Sequence, residues 1–184
     1  MLSKGFSLTE ILIAIVLMSL VMLTVVSVDI TSRRYFKGSS EQVEVFDEAK
    51  IAMEHIIRNV QRGVGDIDNP GLAIYDGGTR IRVNLDDDGN GIADRTIEYM
   101  YQNGPDYNIV FDSDVSAGNP TEDFADGKLL SATFAFGKDA GDNDIPNHLD
   151  IEIVARQDPS QEVGPDNPET TLTSSVVLRA MSCN

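Results

Sequence analysis

The chain has 184 residues, with 30 acidic against 14 basic side chains and a formal net charge of −16. A protein this acidic repels phosphate backbones, which argues against general nucleic-acid binding and leaves solubility, cation binding or a basic partner. Its one cysteine, Cys183, excludes an internal disulfide, leaving a free thiol near the end or an intermolecular bridge in an oxidising compartment.

The charge is unevenly placed. Only Glu10 and Asp29 among the acids, and Lys4, Arg33 and Arg34 among the bases, precede Tyr35, so the remainder carries 28 acids against 11 bases. From Ile11 to Val28 no residue is charged. That run is long enough to read as a membrane-spanning helix. A buried core helix is the competing reading, but so small a domain could hardly wrap it on every side.

A secretory signal peptide would place its cleavage site after the apolar region, and no convincing small-x-small site followed by a mature start appears there. Instead a short basic leader precedes Gly5-Phe6, with Glu10 four residues beyond the phenylalanine. An ionisable group in an apolar helix costs about 2.5 to 3.5 kcal/mol at the bilayer centre and less near the interface, so Glu10 needs a partner or a place at the headgroups.

The stretch Lys4-Gly5-Phe6-Ser7-Leu8-Thr9-Glu10, with its adjoining apolar helix, resembles the type IV prepilin processing motif. The resemblance implies that a membrane prepilin peptidase cuts after Gly5 and methylates the new N-terminal Phe6. It implies that Glu10 pairs with the freed α-amine of a neighbouring subunit and so sets axial register. It also implies a single-pass bacterial inner-membrane protein with a periplasmic globular domain, later joining other pilins or pseudopilins through the N-terminal helix in a pilus or pseudopilus. Charge alone does not choose that orientation, since Lys4 flanks one side and Arg33, Arg34 and Lys37 the other.

Past the membrane run the helical period persists. Val43, Phe46, Ala49, Met53, Ile56 and Val60 recur at spacings of three and four and form an expected apolar stripe. Glu54 and Arg58 stand at i, i+4. Gly63, Gly65 and Pro70 stop the helix. Continuous from Phe6 to Arg62, it would be about 85 Å long, with Gly38-Ser39-Ser40 as the place for a kink or break.

After Pro70 the period becomes two. Expected strands are 80–85, 96–101, 108–111, 129–136, 149–156 and 172–181, separated by Gly- and Asp-rich turns that favour adjacent antiparallel pairing. The fold class is α+β, a pilin-like long helix packed on an antiparallel sheet. The segments are a leader (1–5), a membrane and assembly helix (6–33), its amphipathic second half (34–64) and an acidic β-rich domain (65–184). Ala49–Gly63 and Val176-Val177-Leu178-Arg179 also look like minor pilins and pseudopilins of the PilW and GspJ kind.

The acidic stretch Asn84–Asp94 resembles a Ca2+ loop. Asn84, Asp86 and Asp88 take oxygen positions, Gly89 the sharp turn, and Asn90 and Asp94 further oxygens. The closing bidentate glutamate is missing, because Arg95 stands there. The competing reading is a plain hairpin turn, with Gly89 and Gly91 at positive φ. Asp139, Asp142 and Asp144 form a second, weaker acidic loop. His55 and His148 read as packing or surface residues, and no nucleophile–base pair, phosphate loop or Cys/His metal spacing is visible, so an enzyme is not expected. Three readings remain: a minor pilin-like subunit, a type II secretion pseudopilin sharing the same features, and a membrane-tethered module for Ca2+ or a basic ligand.

Overall fold

The computed structural model describes residues 7–65, 70–104, 106–117, 122–164, 167–178 and 180–181. Gly5, Phe6 and Cys183 lie outside them.

One helix, α1 (Leu8–Val60), runs for 53 residues, about 80 Å at 1.5 Å per residue. It passes through Gly38-Ser39-Ser40 without a break, with Gly38 buried. A helical glycine costs about 1 kcal/mol relative to alanine, a small penalty in so long a proline-free segment. Glu54 meets Lys50 at 3.7 Å rather than the expected Arg58.

The buried arc of α1 is Val45, Ala49, Ala52, Met53, Ile56 and Val60, while Val43 and Phe46 are 58% and 40% exposed. The expected stripe is thus corrected at its start. Successive steps of three rotate away from a fixed face by some 60° each, whereas the alternating steps from Val45 to Ala49, Ala52 and Ile56 hold the 3.6 period.

The chain leaves α1 through Gly63, where a Cβ would sit 3.0 Å from both the Val60 carbonyl and Val83. A two-residue strand, β1 (Val64–Gly65), follows. Next comes a five-stranded antiparallel meander: β2 (Leu72–Tyr75), β3 (Arg80–Leu85), β4 (Arg95–Gln102), β5 (Asn108–Asp112) and β6 (Glu122–Phe124), paired in chain order. A second antiparallel sheet holds β7 (Leu129–Lys138), β8 (Asp144–Ala155) and β9 (Thr170–Val177). The expected last strand divides after Val177, and β10 (Ala180–Met181) pairs in parallel with β1.

The predicted alternation holds in β3, where Ile81, Val83 and Leu85 point inward between Arg80, Arg82 and Asn84. One contiguous core joins these to Ile97, Tyr99, Ile109 and Phe111 of the large sheet, Phe134, Leu149, Ile151, Ile153, Leu172 and Val176 of the small one, and the buried arc of α1. The helix is the common floor of both sheets. Lys128 fastens the turn before β7 to it, its Nζ donating to Glu44 at 2.8 Å and Glu48 at 2.6 Å.

The other half of α1 packs on nothing described. A folded monomer of this mass exposes about 8,700 Å², whereas this chain exposes 12049 Å². The apolar side chains between Leu8 and Ile30 account for much of the excess, Leu8, Met18 and Leu23 being 81%, 70% and 69% exposed.

Candidate functional site

Two features of the fold carry candidate chemistry. The first is the bare half of α1, which is long and apolar enough to span a membrane. From Ile11 to Val28 the rise is about 27 Å, close to the roughly 30 Å hydrocarbon thickness. Polar side chains within it bond to the helix itself. The Ser19 hydroxyl donates to the Ile15 carbonyl at 2.8 Å, Thr24 to Val21 at 2.7 Å and Ser27 to Leu23 at 2.9 Å. In lipid an unmade hydrogen bond costs several kcal/mol, and these hydroxyls leave none.

Glu10 sits at the start of the helix, in its first turn. Its Oε2 accepts the Ser7 N–H at 2.9 Å, and its own N–H donates to Ser7 Oγ at 3.2 Å. This is a capping box, and the Ser-x-x-Glu spacing from Ser7 to Glu10 is its sequence signal. Phe6, the expected partner of Glu10 through its amine, lies outside the described residues.

The second feature is the β3–β4 hairpin, formed as expected, with Leu85 opposite Arg95. Gly89 and Gly91 adopt φ of 79° and 84°, which lets their amides turn inward. Asp86 accepts from Gly89 and Gly91 N–H, each at 2.6 Å, and these backbone donors hold its carboxyl below the usual range. Asp94 folds back and accepts from Asp87 at 2.8 Å and Asp88 at 3.2 Å. Carboxylate oxygens of Asp86, Asp88 and Asp94 thereby converge within 4.8 Å of one another.

Asn90 belongs to the loop, its Nδ2 donating to Asp88 at 2.9 Å. Asn84 does not join the cluster. It stands in β3 with its Oδ1 accepting from the Thr96 hydroxyl at 2.8 Å and its Nδ2 turned to the Pro70 carbonyl. The first ligand position of the Ca2+ pattern therefore moves to Asp86, which places Gly91 rather than Gly89 at the turn. Asp87 takes the nearby cations, pairing with Arg95 at 2.6 Å and Arg62 at 3.2 Å. Among the described residues no basic side chain pairs with the other three carboxylates. Such a site could supply Asp86, Asp88 and Asp94 to a hard cation, with the remaining oxygens coming from Asn90, backbone or water.

The weaker acidic loop closes on itself: Asp139 accepts from the Gly141 and Asn143 amides, and Asp144 pairs with Lys138 at 2.6 Å. His148 contacts the Ser175 hydroxyl and lies 3.4 Å from Asp150, both through Nε2. A triad would need the carboxylate on the other ring nitrogen. His55 faces inward, bonded to Tyr99.

Fold and sites together define an α+β protein with one helix able to cross a membrane and an acidic, mainly antiparallel β domain. No family model, curated protein or solved structure matches the chain.

Proposed function

We propose that this protein is a minor type IV pilin-like structural subunit, cut by a prepilin peptidase after Gly5, methylated at Phe6, and assembled through α1 into a pilus or its priming complex. The observation that carries this reading is the division of α1: an apolar first half with no described neighbour and a second half embedded under a β domain. A type II secretion pseudopilin shares the same architecture and differs in the machine it serves. Intact-mass measurement and N-terminal sequencing of the protein from its native membrane test the reading. The expected start is N-methylated Phe6; an unmethylated start at Met1 would sink it.

The convergence of Asp86, Asp88 and Asp94 favours a second reading, a membrane-tethered module that holds Ca2+ in the β3–β4 loop. It predicts an uncleaved N terminus and cation binding without co-assembly.

A further inference from the structure

The geometry points to the free edge of β9 as a docking site for an extended, basic strand of a different protein chain. The ladder between β8 and β9 shows which backbone groups are available. Leu178 N–H donates to the Asn147 carbonyl at 2.9 Å, continuing the register in which His148 faces Val177 and Leu149 faces Val176. Antiparallel pairs alternate between bonded and non-bonded. Val176, Ser174, Leu172 and Thr170 therefore bond to β8, while Thr171, Thr173, Ser175 and Val177 aim their N–H and C=O away from it. Among the described residues no strand lies beyond β9.

Natural sheets blunt such edges with charge, proline, bulges or shortness. The other edges of this protein follow that rule. Strand β2 has four residues and β6 three, two of them acidic; β7 carries a bulge of its own between Leu129 and Ser131. Strand β9 has eight residues, Thr170-Thr-Leu-Thr-Ser-Ser-Val-Val177, with no charge, proline or glycine. Its register with β8 shows no shift. The four outward-facing residues span about 20 Å, enough for a complete added strand.

The chemistry of the partner follows from the two faces of this sheet. On the solvent face, Asp150 and Glu152 of β8 stand directly across from the small side chains of Ser175 and Thr173; Glu152 is exposed, and Asp150 is half-exposed with the His148 imidazole 3.4 Å away. A strand laid on β9 would lie about 10 Å from β8, within reach of lysine or arginine. On the inner face it would extend the row of Leu172 and Val176, both buried, so apolar residues suit the alternate positions.

A second copy pairing through its own β9 is disfavoured, and this step alone rests on the membrane-anchored reading. An antiparallel β9–β9 pair has its two-fold axis normal to the sheet. Helix α1 packs on that sheet, so the axis would reverse the second helix, whereas helices inserted from one side of a bilayer run the same way.

The test uses the full chain in detergent micelles, a blocked peptide alternating lysine and valine, and a matched peptide with glutamate for lysine. The lysine peptide is expected to bind and to slow amide exchange at Thr171, Thr173, Ser175 and Val177. The glutamate peptide should bind at least about tenfold more weakly. Ser175→Pro removes one outward N–H but no β8 bond, and should weaken binding by about tenfold. Ser175→Ala, which loses the His148 contact but keeps the amide, should bind like the parent. Equal binding by Ser175→Pro and the parent, or unchanged exchange at the four amides, overturns the site. A dimer that protects those amides without peptide overturns the choice of partner. Neither result depends on whether the chain is cleaved after Gly5.

Discussion

Tyr99→Phe is the most informative single change in the domain, because it deletes one oxygen and almost no volume. Tyr99 is fully buried, and its hydroxyl accepts from Asn59 Nδ2 at 2.6 Å and bonds His55 Nδ1 at 2.8 Å. Both partners belong to α1, so one phenol links the helix to the large sheet. A phenylalanine would keep the stacked contact with Phe111, whose ring centroid is 4.9 Å away, and would open no cavity. It would leave the Asn59 amide, 8% exposed, without its partner. Leaving a buried donor unsatisfied costs about 1 to 3 kcal/mol. For a domain of this size that is a fall in melting temperature of roughly 3 to 10 °C. Thermal unfolding of the full chain in micelles, followed by near-UV circular dichroism, reads it directly. A melting temperature unchanged within a degree would show that the linkage contributes nothing and refute the reasoning.

Three further outcomes are expected. Burial pushes His55 below its ordinary value, with Glu122 opposing and Arg58 reinforcing the shift. A histidine kept neutral by folding contributes stability above its unfolded pKa and loses it as pH falls toward the lower folded value, so stability should decline as pH drops below about 6.5; His55→Gln should flatten that decline in urea titrations. With a Kd near 1 mM, Ca2+ at about 10 mM would add roughly 1.4 kcal/mol, a melting shift of a few degrees that Asp88→Asn abolishes; a flat response leaves only a hairpin turn. Glu10→Ala should leave processing after Gly5 intact while impairing incorporation into filaments, and normal incorporation would reject the register role.

The parts of the fold that were legible in the sequence are those with a local period. The charge-free run to Val28 and the alternation from Arg80 to Leu85 each declare an element without reference to anything distant. The phase of the helix was less readable, because Val43 and Phe46 are as apolar as Val45, and only the sheets decide which of them is covered. Strand β1, and the break that separates β10 from the expected strand 172–181, were unreadable for another reason. Each of the two strands has two residues, and their pairing joins positions more than a hundred residues apart. In the acidic loop Asp86, Asp88 and Asp94 were legible as residue types, whereas the fold-back of Asp94 onto the Asp87 and Asp88 amides was not, and Asn84 leaves the cluster because Thr96 engages it across the hairpin.

The inward bonding of Ser19, Thr24 and Ser27 has a consequence for the surroundings α1 can accept. Since the helix backbone already satisfies these hydroxyls, this stretch shows the outside world little but hydrocarbon. Lipid tails and the side chains of another apolar helix are then nearly equivalent solvents for it, differing in packing rather than in polarity. Transfer from one to the other, as the proposed assembly requires, would break no hydrogen bond along this stretch. Discrimination between the two falls to shape along the helix and to the single carboxylate at its head.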